Sequence, residues 1–418
     1  MKKDYSNLRV LFVGSYPPPY GGIASLIQLL IPGLKRFSAQ DIAVLSFGNV
    51  NKIEQVEGAL IYRYQLINQI WKILLPWKWK IILKTMMSFK GYQLSLKKKI
   101  LFITKTLIVN DISKTHQSNV VYFFHSNSSL DILPLSKIWK NKIGIVLEIF
   151  GEIYDEHENV FIKEHTKLFN NILSIPQVIT ASSQHCANSF KQIGINKPVE
   201  VIYIGVDLSR FTHAEKLKHQ YRKQFNCEKG TVLFLFFGRF VRAMGLESLI
   251  EAIPKVIKEK KNVRFILAGA SGPLDKTVSK FANNYSDYVK VINDIPFEDM
   301  PSFYVASDVL LAPSRDHRAC MGISIKDAMA SSRPVIGTNS GGIPEAIIHN
   351  ETGLIVPHKE NGEIDVEGLA KAMIYLSNFK EVRKSMGHKA RLRAEKMFSE
   401  KDTIIKTADV LIRCIPNE

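Results

Sequence analysis

The residues best suited to holding a phosphorylated ligand lie between Ala312 and Glu345, in the stretch APSRDHRACMGISIKDAMASSRPVIGTNSGGIPE. An apolar run ends at Pro313-Ser314, a loop then carries Arg315, His317 and Arg318, and Gly322 opens a helix that contains Asp327. A helix N-terminus led by glycine and flanked by arginines can hold a diphosphate through backbone N–H groups, the helix dipole and side-chain charge together. Asp327, about a turn and a half into that helix, can accept hydrogen bonds from ribose hydroxyls. Ser340-Gly341-Gly342-Ile343-Pro344-Glu345 supplies a second loop of close backbone approach. Upstream, Gly238-Arg239 follows another apolar run, with Arg242 just beyond. A guanidinium delivered by a strand end can neutralise a leaving diphosphate without a metal, although the same position also suits an interdomain salt bridge. Two further candidates are open to plain readings. Gly21-Gly22 precedes a helix and is either a phosphate or sugar contact or an ordinary tight turn, and His125 either faces a ligand or caps a strand.

These residues need a scaffold that presents loops at one edge. Apolar runs at 9–14, 42–46, 120–124, 143–149 and 177–181 alternate with helical patterns such as 23–34 and 161–173. The alternation restarts with runs at 232–237, 264–268, 289–292, 309–311 and 334–337, and residues 366–412 are helical in period. Strands alternating with helices imply a parallel sheet covered on both faces, so the expected fold class is α/β with two doubly wound, Rossmann-like domains. Ligands of such sheets bind beyond the carboxyl ends of the strands, where the candidate residues lie. We expect an N-terminal domain at 1–204, a C-terminal nucleotide-binding domain at 205–395, and a C-terminal helix at 396–418 packing back on the first. The charged stretch 213–219 reads as an interdomain linker.

Composition narrows the function classes. With 418 residues, 46% of them hydrophobic, the chain can bury two ordinary cores. Its four cysteines are scattered without CxxC pairing, so neither a zinc site nor a disulfide framework is expected. No signal peptide or membrane-spanning run is read, which places the protein in the cytoplasm. The formal net charge is +17, favouring anionic partners. Residues 58–110 hold no Asp or Glu but carry Arg63, Lys72, Lys78, Lys80, Lys84, Lys90, Lys97, Lys98, Lys99 and Lys105, together with Trp71, Trp77 and Trp79. Interleaved lysine and tryptophan suit contact with an anionic membrane, at the inner face of the plasma membrane; the alternative is a pair of helices with a solvated basic face. No nucleic-acid-binding motif accompanies the charge, so nucleic acid is not expected as a partner.

In combination the motifs resemble family 4 of the retaining glycosyltransferases, which have the GT-B fold of two Rossmann-like domains facing each other across a cleft. The resemblance runs through Gly21-Gly22, Gly205-Val206-Asp207 with Phe211, Gly238-Arg239 with Gly245, Leu267-Ala268-Gly269, Asp327-Ala328-Met329, Pro334-Val335-Ile336, Gly341-Gly342-Ile343-Pro344-Glu345 and Thr352-Gly353-Leu354. It implies transfer of a sugar from a UDP- or GDP-linked donor to a glycan or lipid-linked acceptor in cell-envelope polysaccharide synthesis, with retention of configuration, no cofactor and no metal. Carried over, the diphosphate-clamping arginine falls on Arg239 and the ribose-contacting acid on Asp327; with His125 these are the expected catalytic residues, and Gly21, Gly22, Gly238, Arg242, Gly269, Arg318, Gly322, Ile323, Gly341, Gly342 and Glu345 are expected to bind the donor. The chain departs from the family pattern at three places. Met244 stands where a diphosphate-clamping lysine is usual, Ala319 where a sugar-contacting glutamate is usual, and Phe150-Gly151 where a His-Gly pair is common. Arg242, Arg315, Arg318 and Lys326 are possible substitutes for the lost charge. The same departures define the alternative function, a catalytically impaired relative that binds nucleotide or glycan as a partner protein. A dinucleotide oxidoreductase is set aside because no GxGxxG follows the first strand.

Overall fold

The computed structural model describes residues 5–17, 21–37, 39–90, 92, 94–124, 131–151, 163–192 and 197–416. The chain divides into two compact units, Met1–Ile202 with Lys401–Glu418, and Tyr203–Glu400. The first holds an eight-stranded sheet in the order β3-β4-β2-β1-β5-β6-β7-β8. Its strands are β1 Arg9–Val13, β2 Asp41–Phe47, β3 Lys52–Val56, β4 Ala59–Tyr64, β5 Val120–Phe124, β6 Gly144–Ile149, β7 Val178–Ala181 and β8 Val199–Val201. Only the β3–β4 pair is antiparallel. Sequences such as RVLFV and VVYFF are apolar without alternation because both faces of their strands are covered. Glu148 breaks that pattern on β6; buried there, its carboxylate accepts hydrogen bonds from the hydroxyls of Tyr122 and Thr180.

The β3–β4 hairpin has no counterpart in the expected strands. Its turn, Glu57-Gly58, has both φ values positive (49° and 79°), as a two-residue type I′ turn demands. KIEQV leaves most of β3 exposed at the edge of the sheet, so its apolar signal is weak.

The second unit carries a six-stranded, wholly parallel sheet in the order β11-β10-β9-β12-β13-β14. These strands are β9 Val232–Phe237, β10 Val263–Gly269, β11 Val289–Asn293, β12 Val309–Ala312, β13 Val335–Thr338 and β14 Gly353–Val356. The order reverses between β9 and β12, so the loops leaving these two strands diverge at the switch point of the sheet. One face of the sheet packs Phe234, Phe236, Phe265 and Leu311 against the helices Leu246–Glu259 and Val366–Asn378. The other packs Leu235, Ile266 and Leu310 against Phe303, Tyr304, Ile325 and Met329.

Residues 213–219 are not a linker. They fall within the consecutive helical segments Leu208–Ala214, Glu215–Leu217 and Lys218–Gln224. Phe211 and Ala214 are buried in the core of the second unit, and Phe211 meets Tyr304 edge-on at 6.0 Å. The chain leaves the first unit at 202/203 and returns at 400/401, against the 204/205 and 395/396 read from sequence. Phe398, 1% exposed, is held in the second core, and the backbone N–H of Val206 donates to its carbonyl at 3.0 Å. The final helix, Glu400–Arg413, lies against the first unit. Ile404 fills the space beside Gly33, Tyr5 donates to Asp409 at 2.9 Å, and Arg413 pairs with Glu200 at 2.7 Å.

Candidate functional site

Strand β9 ends directly before Gly238-Arg239, while β12 ends before the loop 313–322. The two are neighbours in the sheet, which brings both loops to the same edge at the switch point. Several ties hold these loops together. The N–H of Arg315 donates to Ala243 O at 2.9 Å, and the hydroxyls of Thr338 and Ser340 both donate to Ser314 O. Gly245 has φ +74°, and a Cβ built there would stand 1.6 Å from Pro313 O. A side chain at this position would displace the loop. Gly341, at φ +54°, is similarly confined, since a Cβ would lie 2.1 Å from Ala319 O, the carbonyl that accepts from the N–H of Gly342 at 2.7 Å. Gly269 closes β10 beside the β9 end that carries Gly238. At Ala319, where a glutamate side chain is usual, the backbone instead anchors the Gly341-Gly342 loop.

The positive charges of the site are not equivalent. Arg242 pairs with Glu247 at 3.0 Å, Arg318 with Asp316 at 2.5 Å, and Arg315 approaches Glu363 at 4.0 Å. Arg239 is exposed, and no ion pair or hydrogen bond is found for its side chain among the described residues. Lys326, read from sequence as a substitute charge, turns inward. It is 2% exposed, its ammonium donates to Ile204 O at 2.8 Å, and it sits 5.3 Å from the ring centre of Phe398. Burial lowers its pKa to about 8, against the influence of Cys320, Asp327 and Glu345. Met244 packs its thioether end over Gly238 and joins the hydrophobic core, so it has no polar role to take over.

Gly322, exposed and at φ +72°, is the N-cap of the helix Ile323–Ala330, placing the free backbone N–H groups of its first turn at this edge. Asp327 lies on that helix, partly buried. Burial pushes its carboxyl up to about 7, against the pull of Arg210, Lys326 and the hydroxyl of Tyr304. A carboxyl whose folded pKa is raised binds a proton in the folded state that the unfolded chain has lost, so its contribution to stability falls as pH rises from about 4 to about 7. Asp327→Asn is therefore expected to raise the melting temperature of the second unit by several degrees at pH 7.5 and to change it little at pH 4, which thermal denaturation at the two pH values will show.

Glu345 accepts from the Tyr203 hydroxyl at 3.2 Å, and its backbone carbonyl accepts from Arg393 at 2.6 Å. Gly21 caps the helix Gly22–Arg36 in the first unit, and a Cβ at either glycine would meet nothing within 4 Å. His125 lies outside the described residues. Among the described residues no group of three or more His, Cys, Asp or Glu is placed to hold a metal ion. The sequence reading missed His358. Its Nε2 is 3.1 Å from Ser340 Oγ, its ring meets His317 edge-on at 5.8 Å, and burial lowers its pKa, helped by His317 and Arg315. The available signal was the apolar run of β14 just ahead of it, itself absent from the expected strands.

The family model of glycosyl transferases group 1 matches residues 231–378, which span both loops and the helix Ile323–Ala330. Residues 231–378 are thus similar to the group 1 glycosyl transferases. The chain is 31% identical over 229 residues to a GDP-mannose-dependent monoacylated alpha-(1-6)-phosphatidylinositol monomannoside mannosyltransferase of Corynebacterium glutamicum, covering 53% of this chain and 58% of that one. It is 26% identical over 234 residues to the N-acetyl-alpha-D-glucosaminyl L-malate synthase of Bacillus anthracis, covering 54% and 58%. The chain thus spans just under three fifths of each of these relatives. Among solved structures, sucrose-phosphate synthase from Thermosynechococcus elongatus superposes with a TM-score of 0.73 at 16% identity, covering 97% of this chain and 98% of that one. Anabaena HepE in complex with UDP-glucose gives 0.69 at 17%, covering 97% and 99%. Both units are doubly wound, which is the two-domain GT-B fold that these solved structures share.

Proposed function

We propose that the protein is a metal-independent, retaining glycosyltransferase that moves a hexosyl group from a UDP- or GDP-linked sugar to a glycan or lipid-linked acceptor in cell-envelope polysaccharide synthesis. The observation that carries this reading is Arg239, whose side chain has no partner among the described residues, at the switch point of the sheet in the stretch that is similar to group 1 glycosyl transferases and at the same sheet edge as the N-terminus of the helix Ile323–Ala330. The relative named for GDP-mannose and the UDP-glucose complex of HepE support a nucleotide-sugar donor.

In this account Gly322, Ile323 and Arg239 receive the diphosphate, Asp327 receives the ribose hydroxyls, and Gly238, Gly269, Gly341 and Gly342 let the backbone approach the donor. Arg242, Arg318 and Glu345 border the same loops, while His125 and the Gly21-Gly22 loop are assigned to the first unit's share of the substrates. The bond from the sugar's anomeric carbon to the diphosphate breaks, and its electron pair leaves on the phosphate oxygen. The acceptor hydroxyl forms the new bond on the same face and gives its proton to that oxygen. With Met244 and Ala319 contributing no charge, stabilisation of the leaving group falls to Arg239 and the helix dipole. We place this activity in the cytoplasm at the inner face of the plasma membrane, with residues 58–110 in contact with anionic lipid.

The experiment is incubation of the purified protein with a panel of UDP- and GDP-sugars and a membrane extract, following nucleotide release and sugar transfer together. Release coupled to transfer with at least one donor is expected. Nucleotide binding without turnover of any donor would replace this reading with the impaired, binding-only one.

A further inference from the structure

Nine of the sixteen large hydrophobic side chains exposed among the described residues fall between Ile67 and Leu96. On the helix Trp79–Ser88 they form a pattern. Trp79, Leu83, Met86 and Met87, spaced i, i+4, i+7 and i+8, occupy one stripe and are 59%, 52%, 57% and 64% exposed. The opposite face is satisfied within the fold. Ile82 packs with Ile103 and Leu107, while the hydroxyls of Thr85 and Ser88 return to the carbonyls of Ile81 and Lys84 at 2.8 Å each. The helix therefore has a complete inner face and a second apolar stripe facing solvent. Just ahead of it, Leu74 and Trp77 are 80% and 72% exposed. Apolar patches of this kind on a folded unit mark a contact surface.

Charge decides what covers it. Lys80, Lys84 and Lys90 border the stripe on the same helix or at its end, exposed Lys97, Lys98 and Lys99 follow on the first turn of the helix Leu96–Thr115, and residues 58–110 contain no acid. A second copy of the chain docked by this patch would set lysines against lysines across a two-fold axis. An anionic bilayer fits both features, with lipid phosphates for the ammonium groups, the headgroup boundary for tryptophan and the acyl edge for Leu83, Met86 and Met87. No helix among the described residues is long and apolar enough to cross a membrane, and ten residues span only about 15 Å.

We propose that the helix Trp79–Ser88 lies in the plane of an anionic phospholipid surface, with Trp79, Leu83, Met86 and Met87 inserted at the headgroup boundary and the flanking lysines on lipid phosphates. This deepens the reading of residues 58–110 given above and stands apart from the chemistry of the second unit.

The test is sedimentation of the full-length protein with phosphatidylcholine vesicles and with vesicles containing phosphatidylglycerol, together with tryptophan emission. The wild-type chain is expected to sediment with the anionic vesicles at low salt, with a blue shift, and to be released as salt rises. Leu83→Lys with Met87→Lys is expected to lower vesicle affinity by about tenfold or more despite adding positive charge, because it removes the inserted side chains. Lys80→Gln with Lys90→Gln is expected to lower it by about tenfold or more through charge alone. Three results would each overturn the proposal: wild-type protein left in the supernatant at low salt, undiminished binding by the Leu83/Met87 variant, or a wild-type dimer that this variant dissociates. Nucleotide-sugar turnover measured on the same preparations without vesicles reports separately on the transferase reading, since none of these residues lies in the donor site.

Discussion

Arg239→Ala is expected to lower kcat/KM for the nucleotide-sugar donor by about 10²–10³-fold and to weaken nucleoside diphosphate binding by about tenfold or more. The reason lies in how the charges of the site are spent. Arg242 and Arg318 each face a carboxylate within 3.0 Å, and Lys326 donates to a buried carbonyl, whereas no partner is found for Arg239 among the described residues. A guanidinium without a partner can give its whole charge to an incoming diphosphate, and here it stands without the lysine that commonly assists it. Arg239→Lys is expected to recover only part of the loss, because an ammonium cannot make two parallel hydrogen bonds to a phosphate. Arg242→Ala, which removes an exposed and already paired charge, is expected to change affinity less than twofold. Calorimetric titration with UDP and GDP alongside donor kinetics checks all three variants. Unchanged nucleotide affinity in Arg239→Ala would show that the diphosphate binds elsewhere.

Gly245→Val is expected to destabilise the second unit by about 3 kcal/mol or more, lowering its melting temperature by roughly 10 °C, and to abolish donor binding at temperatures where the unit remains folded. Two costs combine. A β-branched residue is strained at φ +74°, and its Cβ would stand 1.6 Å from Pro313 O, a backbone atom at the start of the loop 313–322. Gly362→Val separates them, because Gly362 has φ +77° but open space around it, leaving only the conformational cost of about 1–2 kcal/mol. Equal destabilisation of the two variants, measured by thermal and urea denaturation, would show that contact with the 313–322 loop contributes nothing.

Sequence reading succeeded and failed for identifiable reasons. VLFLFF of β9 and VLLA of β12 are buried on both faces, so their apolar runs are unbroken and the loops after them could be located. KIEQV of β3 shows an exposed edge, and β8 is only three residues long, so neither rises above the surrounding pattern. Residues 213–219 read as a linker because only one side of their helical segments is buried, and Phe211 and Ala214 are a small signal among charged neighbours.

The site divides in the same way. Glycines and Arg239 announce themselves through the strands that precede them. The orientation of Lys326 does not, because the carbonyl and ring that hold it belong to Ile204 and Phe398, distant in sequence on either side. The pairing of Arg242 and Arg318 with Glu247 and Asp316 is likewise a matter of side-chain geometry, since both acids are close in sequence but nothing in their spacing shows which arginine lacks a partner among the described residues.

The measurement that tests the central claim most directly is transfer itself. A donor labelled in its sugar, chosen by the nucleotide the protein binds, is incubated with the full-length chain and a membrane extract, and the labelled product is isolated and its new linkage read by NMR. The account predicts that label moves to a glycan or lipid-linked product with the anomeric configuration of the donor, and that Arg239→Ala suppresses this transfer by at least about a hundredfold. Nucleotide binding with no labelled product from any donor, or a product of inverted configuration, would contradict it.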